Sequence, residues 1–473
     1  MKKFTKILLI GCLLVTVSCN NWLDVDPKSQ VKDKDLFASE MGFKEALSGV
    51  YSLMTKEALY GKELTFGWLG VLGQEWTSVP YNYEDDQKYD FENAASEVRI
   101  DSVWPGLYNA IANANKLLKE LEGKENLFSG DNYFIIKGEV LALRAYLHFD
   151  LLRIFGASCT VGMERIAIPY VTEYAPTIFP QEKVGDFVGK VLKDLQDAAK
   201  CLENDPILTG RTVSEIDDNG YLMNRQGHLN YYAVKGLMAR VYLYKGDYAN
   251  AEVCAKEVIG SGCFEWVKQE NLTNESVADL TFSTEHLFAL NIVTLGNIVD
   301  KYLDGGNNSF ALEESRLSEY YGSSYDYRYL YLFKTGVGMS NTLRYLKKYD
   351  QLESVSWAQS YRNKLPLICL PEMYYILAEC RYHSSGDVLE PLNEVCRHRG
   401  VADLSEADLS AFETLLLAEY RKEVIGGGQL FFQYKRLNRS VVPGTDVDLA
   451  GEGRYVIPMP KEELENPGWV SNQ

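Results

Sequence analysis

The chain has 473 residues, enough for one large domain or two to three ordinary ones, and 46% of them are apolar, which supports a large core and excludes a disordered chain. The net charge of −18 repels polynucleotides, so nucleic acid is excluded as a partner. Residues 1–18 hold three lysines and no acid, so their loss would take the charge from −18 to −21.

Met1, Lys2, Lys3 and Lys6 form a basic start, Ile7 to Val17 an apolar run, and Ser18 a small residue before Cys19. That order predicts a bacterial lipoprotein signal over 1–18, too short to span a bilayer. Cys19 would take a diacylglycerol and an amide-linked acyl chain; three chains anchor far more firmly than one. The competing reading is a secreted protein in which Cys19 is incidental. Residues 19–38 read as the anchor and an extended polar lead.

Phe43, Ala46, Leu47, Val50, Tyr51 and Met54 recur at helical spacing, with Ser39 available as a cap. From Leu59 to Arg99 the pattern breaks up under Gly, Pro, Asn and aromatic residues, which predicts loops. The helical period returns over Trp104–Leu121, and Gly138–Phe155 is apolar nearly all round, as a helix buried inside a helical body would be. Tyr232–Ile259 reads as helix, Lys245-Gly246-Asp247-Tyr248 turn, helix, with the small-residue and aromatic spacing of a tetratricopeptide hairpin. Met373–Arg399 echoes it, and Glu139–Gly156 with Gln181–Leu202 makes a third. Each hairpin exposes an apolar face until a neighbour covers it, but the spacing is too irregular for a regular solenoid. Asn271–Tyr361 is expected to be mostly non-helical and tyrosine-rich; long loops are commonly functional. Cys159, Cys201, Cys254, Cys263, Cys369, Cys380 and Cys396 form no CxxC pair, so no zinc site is signalled. They read as small core residues, some of which an oxidising compartment would let pair.

These pieces together resemble the SusD/RagB family of outer-membrane lipoproteins. The match runs from Asn21-Trp22-Leu23-Asp24-Val25-Asp26-Pro27 through Phe43–Tyr51, Leu143-Arg144-Ala145-Tyr146 and Leu151–Gly156. It continues in Ala239–Tyr248, Pro371-Glu372-Met373-Tyr374, Glu419–Glu423, Gly428–Arg436 and Ile457-Pro458-Met459-Pro460. Gly426-Gly427-Gly428 and Gln433 depart from it, standing where the family has acids. The resemblance implies a mainly α fold, an irregular bundle of tetratricopeptide-like hairpins (an α-α superhelix) with long loops and a few short strands. It divides the chain into an N-terminal helical region over 39–270 and a C-terminal region over 271–473, packed as one body. It further implies a surface-exposed lipoprotein of the outer membrane that binds a nutrient, commonly an oligosaccharide. Delivery would be to a SusC-like TonB-dependent transporter, with no catalysis and no cofactor.

The residues agree on the last point: no HExxH, GxSxG, P-loop or dinucleotide fingerprint is present. His148, His228, His286, His383 and His398 are scattered, and His148 reads as a hydrogen-bonded core residue. Glu84-Asp85-Asp86 could in principle serve glycoside hydrolysis, but among 66 acids such a cluster reads first as a solvated loop. The binding signal is the aromatic content, 32 Tyr, 19 Phe and 7 Trp, because sugar rings lay C–H faces on aromatic rings while their hydroxyls seek polar neighbours. Two mixed stretches qualify: Trp68, Trp76, Tyr81, Asn82 and Tyr83, then Tyr320, Tyr321 and Tyr325. The resemblance places the family's ligand arc in the same two regions, and for each residue loop packing is the alternative. Tyr329 and Tyr331 alternate like a strand face turned to the core. The alternative function is a helical-repeat surface scaffold that binds protein or peptide partners and no small ligand.

Overall fold

The computed structural model describes residues 34–209, 220–274, 276–336, 342–351 and 361–472. The expected signal, Cys19 and the lead as far as residue 33 lie outside the described residues. Helices run in chain order as α1 (Glu40–Met54), the short α2 (Trp68–Leu72), α3 (Ala94–Leu121), α4 (Asn132–Phe155), α5 (Val184–Cys201), α6 (Tyr231–Lys245) and α7 (Tyr248–Ile259). They continue as α8 (Leu295–Tyr302), α9 (Glu314–Tyr321), α10 (Tyr327–Tyr331), α11 (Leu370–Ser384), α12 (Leu389–His398), α13 (Phe412–Glu423) and α14 (Leu430–Arg436). The fold is mainly helical, with tetratricopeptide-like hairpins.

The apolar stripes explain the order of packing. Ser39 caps α1 by accepting from the Gly42 amide at 3.3 Å, and α1 buries Phe43, Leu47, Val50 and Met54. It lies on α3, α3 on α4, α4 on α5, α5 on α6, α6 on α7 and α7 on α11, so each helix covers its predecessor's apolar face. Helix α4 is buried on every side from Gly138 to Phe155, which is why its sequence keeps no polar face. The α6–α7 hairpin turns at Gly246, whose φ of +80° an L side chain rarely adopts; Asp247 then caps α7 by accepting from Asn250.

Among its described residues the segment 271–361 is mostly non-helical, as expected, but it is not one plain loop. It holds α8, α9 and α10 and most of the strands: β1 (His286–Asn291), β2 (Leu312–Glu313), β3 (Phe333–Thr335) and β4 (Leu343–Leu346). Strand β1 pairs antiparallel with β5 (Lys364–Cys369), and β2-β4-β3 form a second antiparallel sheet. Tyr329 and Tyr331 stand on helix α10, half-buried, not on a strand. The seven cysteines of the described residues are all free thiols.

Candidate functional site

The first aromatic stretch is a loop folded around a buried carboxylate. Asp86 accepts from Trp68 Nε1 at 2.8 Å, from Ser96 Oγ at 2.7 Å and from the Arg99 guanidinium. Arg99 also donates to the Asn82 carbonyl, and its guanidinium lies 3.8 Å from the centroid of the Tyr83 ring. Burial pushes the Asp86 carboxyl up to about 6, against the pull of Arg99. The Tyr83 hydroxyl donates to Glu63 at 2.8 Å and Trp76 Nε1 to the Phe66 carbonyl at 2.7 Å, with Phe310 against both rings. Trp68, Trp76 and Tyr83 are therefore core residues, 0%, 2% and 1% exposed, and offer no ring face to a ligand. What the packing pushes outward is Tyr81, 87% exposed on the turn after Pro80, with Asn82 exposed beside it.

The second stretch divides the same way. Tyr321 is buried and donates to the Lys422 carbonyl at 3.1 Å. Tyr320 is half-buried, its ring 4.3 Å from the Arg421 guanidinium. Gly322 ends α9 with φ +65°, and Tyr325 on the following loop is 76% exposed.

Backbone pairing joins the two stretches. The Thr77 and Ser78 amides both donate to the Ala311 carbonyl at 3.0 Å, the Ala311 amide returns to Ser78, and the Glu313 amide donates to Thr77 Oγ1 at 2.6 Å. Arg421 fastens them again, donating to the Gln74 carbonyl at 2.6 Å beneath the Tyr320 ring. Next to that clamp the Gly426 amide donates to Glu75 at 2.7 Å, and burial lifts the Glu75 carboxyl to about 7. Tyr81, Asn82, Tyr320 and Tyr325 thus stand on two segments locked to each other.

Among the described residues no group of His, Cys, Asp and Glu is arranged to hold a metal ion. His148 is buried; it accepts from the Val171 amide at Nε2 and so donates from Nδ1 to the Arg144 carbonyl, both at 2.9 Å. Burial lowers it to about 3, which keeps it neutral. The Glu84-Asp85-Asp86 cluster offers two exposed carboxylates, since Asp86 is spent on the loop. A cleft of about 920 Å³ between the start of α3 and residues 449–462 was not legible in the sequence. Asp101, Arg165, Arg454 and Tyr455 line it, and its closure by the distant C-terminal segment leaves no local signal. No helix of the described residues is long and apolar enough to cross a membrane.

Residues 21–214 match a SusD-like family described as starch-binding and associating with the outer membrane. SusD-like protein P38 of Formosa agariphila is 24% identical over 56% of this chain and 47% of its own length. SusD-like protein P2 of the same organism is 27% identical over 55% and 47%. The chain thus spans about half the length of the curated relatives it matches. A SusD superfamily protein from Bacteroides thetaiotaomicron shares the fold with a TM-score of 0.73, at 22% identity over 92% of this chain and 100% of that one. A laminarin-binding SusD-like protein superposes with a TM-score of 0.65, at 19% identity over 91% of this chain and all of that one.

Proposed function

We propose, from the premise that this chain is a SusD-like protein, that it captures a glycan and delivers it unchanged to a SusC-like TonB-dependent transporter. The observation that carries the reading is the pinned loop: buried groups hold Asn82 and Tyr83 still, and Tyr81 is left standing 87% in solvent. An exposed aromatic ring on a rigid base loses little freedom when a ligand arrives, so its contact appears as affinity. Asn82 alongside supplies an amide for hydroxyls, and Tyr320 and Tyr325 extend the surface on the segment fastened next to it.

The similarity of the fold to a laminarin-binding protein makes laminarin the first probe, with starch second. Calorimetry on the signal-free protein is expected to show saturable binding to one of them. Tyr81→Ala should weaken it about tenfold, roughly 1.4 kcal/mol, without moving the melting temperature. Binding indifferent to both Tyr81→Ala and Tyr325→Ala would sink this site. For delivery, the barrel should co-purify with the protein from outer membranes. For the anchor at Cys19, Cys19→Ala should release the protein into the soluble fraction, and full membrane retention would refute it.

A further inference from the structure

A second concave surface, which Tyr81 does not line, lies beside the buried Arg399. It is a cleft of about 420 Å³, within the usual range for small-ligand sites, lined by Glu265, Trp266, Gln269, Tyr327, Arg397 and His398. Three chain segments far apart in sequence build it. His398 stacks on Trp266 with centroids 4.7 Å apart and 8° between the planes, and Tyr374 packs on the indole at 5.2 Å. Beneath them the Arg399 guanidinium, 5.3 Å from the indole centroid, is fully buried and held by both Glu285 oxygens at 2.9 and 2.6 Å and by Glu423. The Val267 amide donates to the same Glu285 at 2.9 Å, which ties the Trp266 segment to that base.

Tyr327 is fixed from the other side. Its amide donates to the Arg399 carbonyl at 2.9 Å, and its ring lies so close to Gly400 that a Cβ there would stand 2.4 Å from ring carbon Cε1. Gly400 also has φ +69°, so glycine is required twice over. Gln269 sits between two hydroxyls, accepting from Tyr327 at 3.3 Å and donating to Tyr331 at 3.4 Å. The platform is therefore set before any ligand arrives.

We infer that this cleft is a second glycan subsite, taking one or two neutral pyranose units of a chain. The inference rests on the proposed function, since it assumes that the protein binds glycans. Tyr327 and His398 supply rings for C–H faces, with Trp266 backing the imidazole; the Gln269 amide, the Glu265 carboxylate and the Arg397 guanidinium supply partners for hydroxyls. Charges of both signs at the rim favour a neutral sugar over an anionic one. Tyr325 stands two residues before Tyr327, so the loop and the start of α10 carry aromatic rings for both surfaces. Two subsites on one chain would hold a polymer far more tightly than either holds a short oligosaccharide.

The test is calorimetry with laminaribiose, maltobiose and their hexaoses, together with retention on laminarin and starch gels. Variants are Tyr81→Ala, His398→Ala, Tyr327→Phe and Gln269→Ala, each checked for an unchanged melting temperature. With the disaccharide that binds, the wild type should take two ligands per chain, and Tyr81→Ala and His398→Ala one each. Either variant should lose polymer retention about tenfold. A single site that Tyr81→Ala abolishes and the three cleft variants leave intact would overturn this inference and leave the proposed function standing. A single site lost only in the cleft variants would keep this cleft and sink the Tyr81 surface. Silence of the wild type towards every probe would overturn both.

Discussion

Asp86→Ala is the sharpest perturbation of the loop that presents Tyr81. The substitution strands three buried donors, Trp68 Nε1, Ser96 Oγ and an arm of Arg99. At about 2 kcal/mol each that is a loss of about 6 kcal/mol. Deleting the carboxylate also removes a cost, because burial lifts its folded pKa from 3.8 to about 6. At pH 7, where the group is ionised in both states, that shift makes folding about 3 kcal/mol less favourable than it is below the unfolded pKa. The net destabilisation at pH 7 is about 3 kcal/mol. The sign with pH follows: a carboxyl whose pKa is raised by folding contributes most below its unfolded value, and that contribution falls as pH rises through about 6. The deficit of Asp86→Ala against wild type should thus grow towards about 6 kcal/mol near pH 4. Urea denaturation of both proteins at pH 4, 5.5 and 7 measures it, provided the m-values agree. Glycan affinity should fall with it, by up to about tenfold, since Tyr81 would have to be ordered on binding. A deficit under about 1 kcal/mol, or one that shrinks on acidification, refutes the role of the Asp86 carboxylate in holding the loop.

Trp76→Ala should cost about 3–5 kcal/mol, because a fully buried indole and its bond to Phe66 are lost, whereas Tyr325→Ala should stay within about 0.5 kcal/mol; thermal melts separate them. Glu139 behaves oppositely to Asp86: burial would raise it, but His228 and Arg225 hold it at about 2, so its contribution is present above 4.5 and lost as pH falls towards 2. Glu139→Gln should flatten that acid limb in a pH series of unfolding midpoints. Burial pushes the Cys159, Cys369 and Cys380 thiols up to about 12, so they should react with a thiol reagent at pH 8 only on unfolding. Dithiothreitol should leave the melting temperature unchanged.

The helices were legible because their signal is local. Phe43, Leu47, Val50 and Met54 share one face of α1 whatever the rest of the chain does, and all four are buried. Local signals also misled. A helix read as starting at Trp104 begins ten residues earlier, at Ala94, where Asn93 accepts from the Ala95 and Ser96 amides. Pro105, a residue favoured in a first helical turn, sits instead inside α3. Burial in the loops was not legible, because it is decided by residues far away. Trp76 and Tyr81 occupy the same kind of Gly-, Pro- and Asn-rich stretch, yet Phe310 packs on Trp76 and nothing covers Tyr81. The Trp266 platform was missed for the same reason: His398 reaches it from α12, and no spacing rule connects the two.

The interior carries an unusual number of arginine–carboxylate pairs, and their placement argues for what the fold must keep rigid. Arg240 on α6 grips Glu372 on α11 with two bonds of 2.6 Å, and Arg436 on α14 grips Glu379 on α11 at 2.6 and 2.7 Å. Arg225 joins Glu139 on α4 to Asp205, and Arg328 joins Asp326 to Glu419 and Glu423. Buried pairs of this kind add little net stability over apolar residues of the same shape, since desolvation offsets most of the attraction. A carboxylate facing a guanidinium in two bonds does, however, fix direction as well as distance. Each set of pairs here fastens a helix to another part of the chain. Replacing Arg240 and Glu372 together by methionine and leucine should therefore leave the melting temperature near that of wild type. Hydrogen exchange should nonetheless rise along β5, whose Leu367 carbonyl accepts from Arg240 at 2.8 Å. Unchanged exchange there would show that packing alone sets the joint, and the case for these pairs as positioning devices would fail.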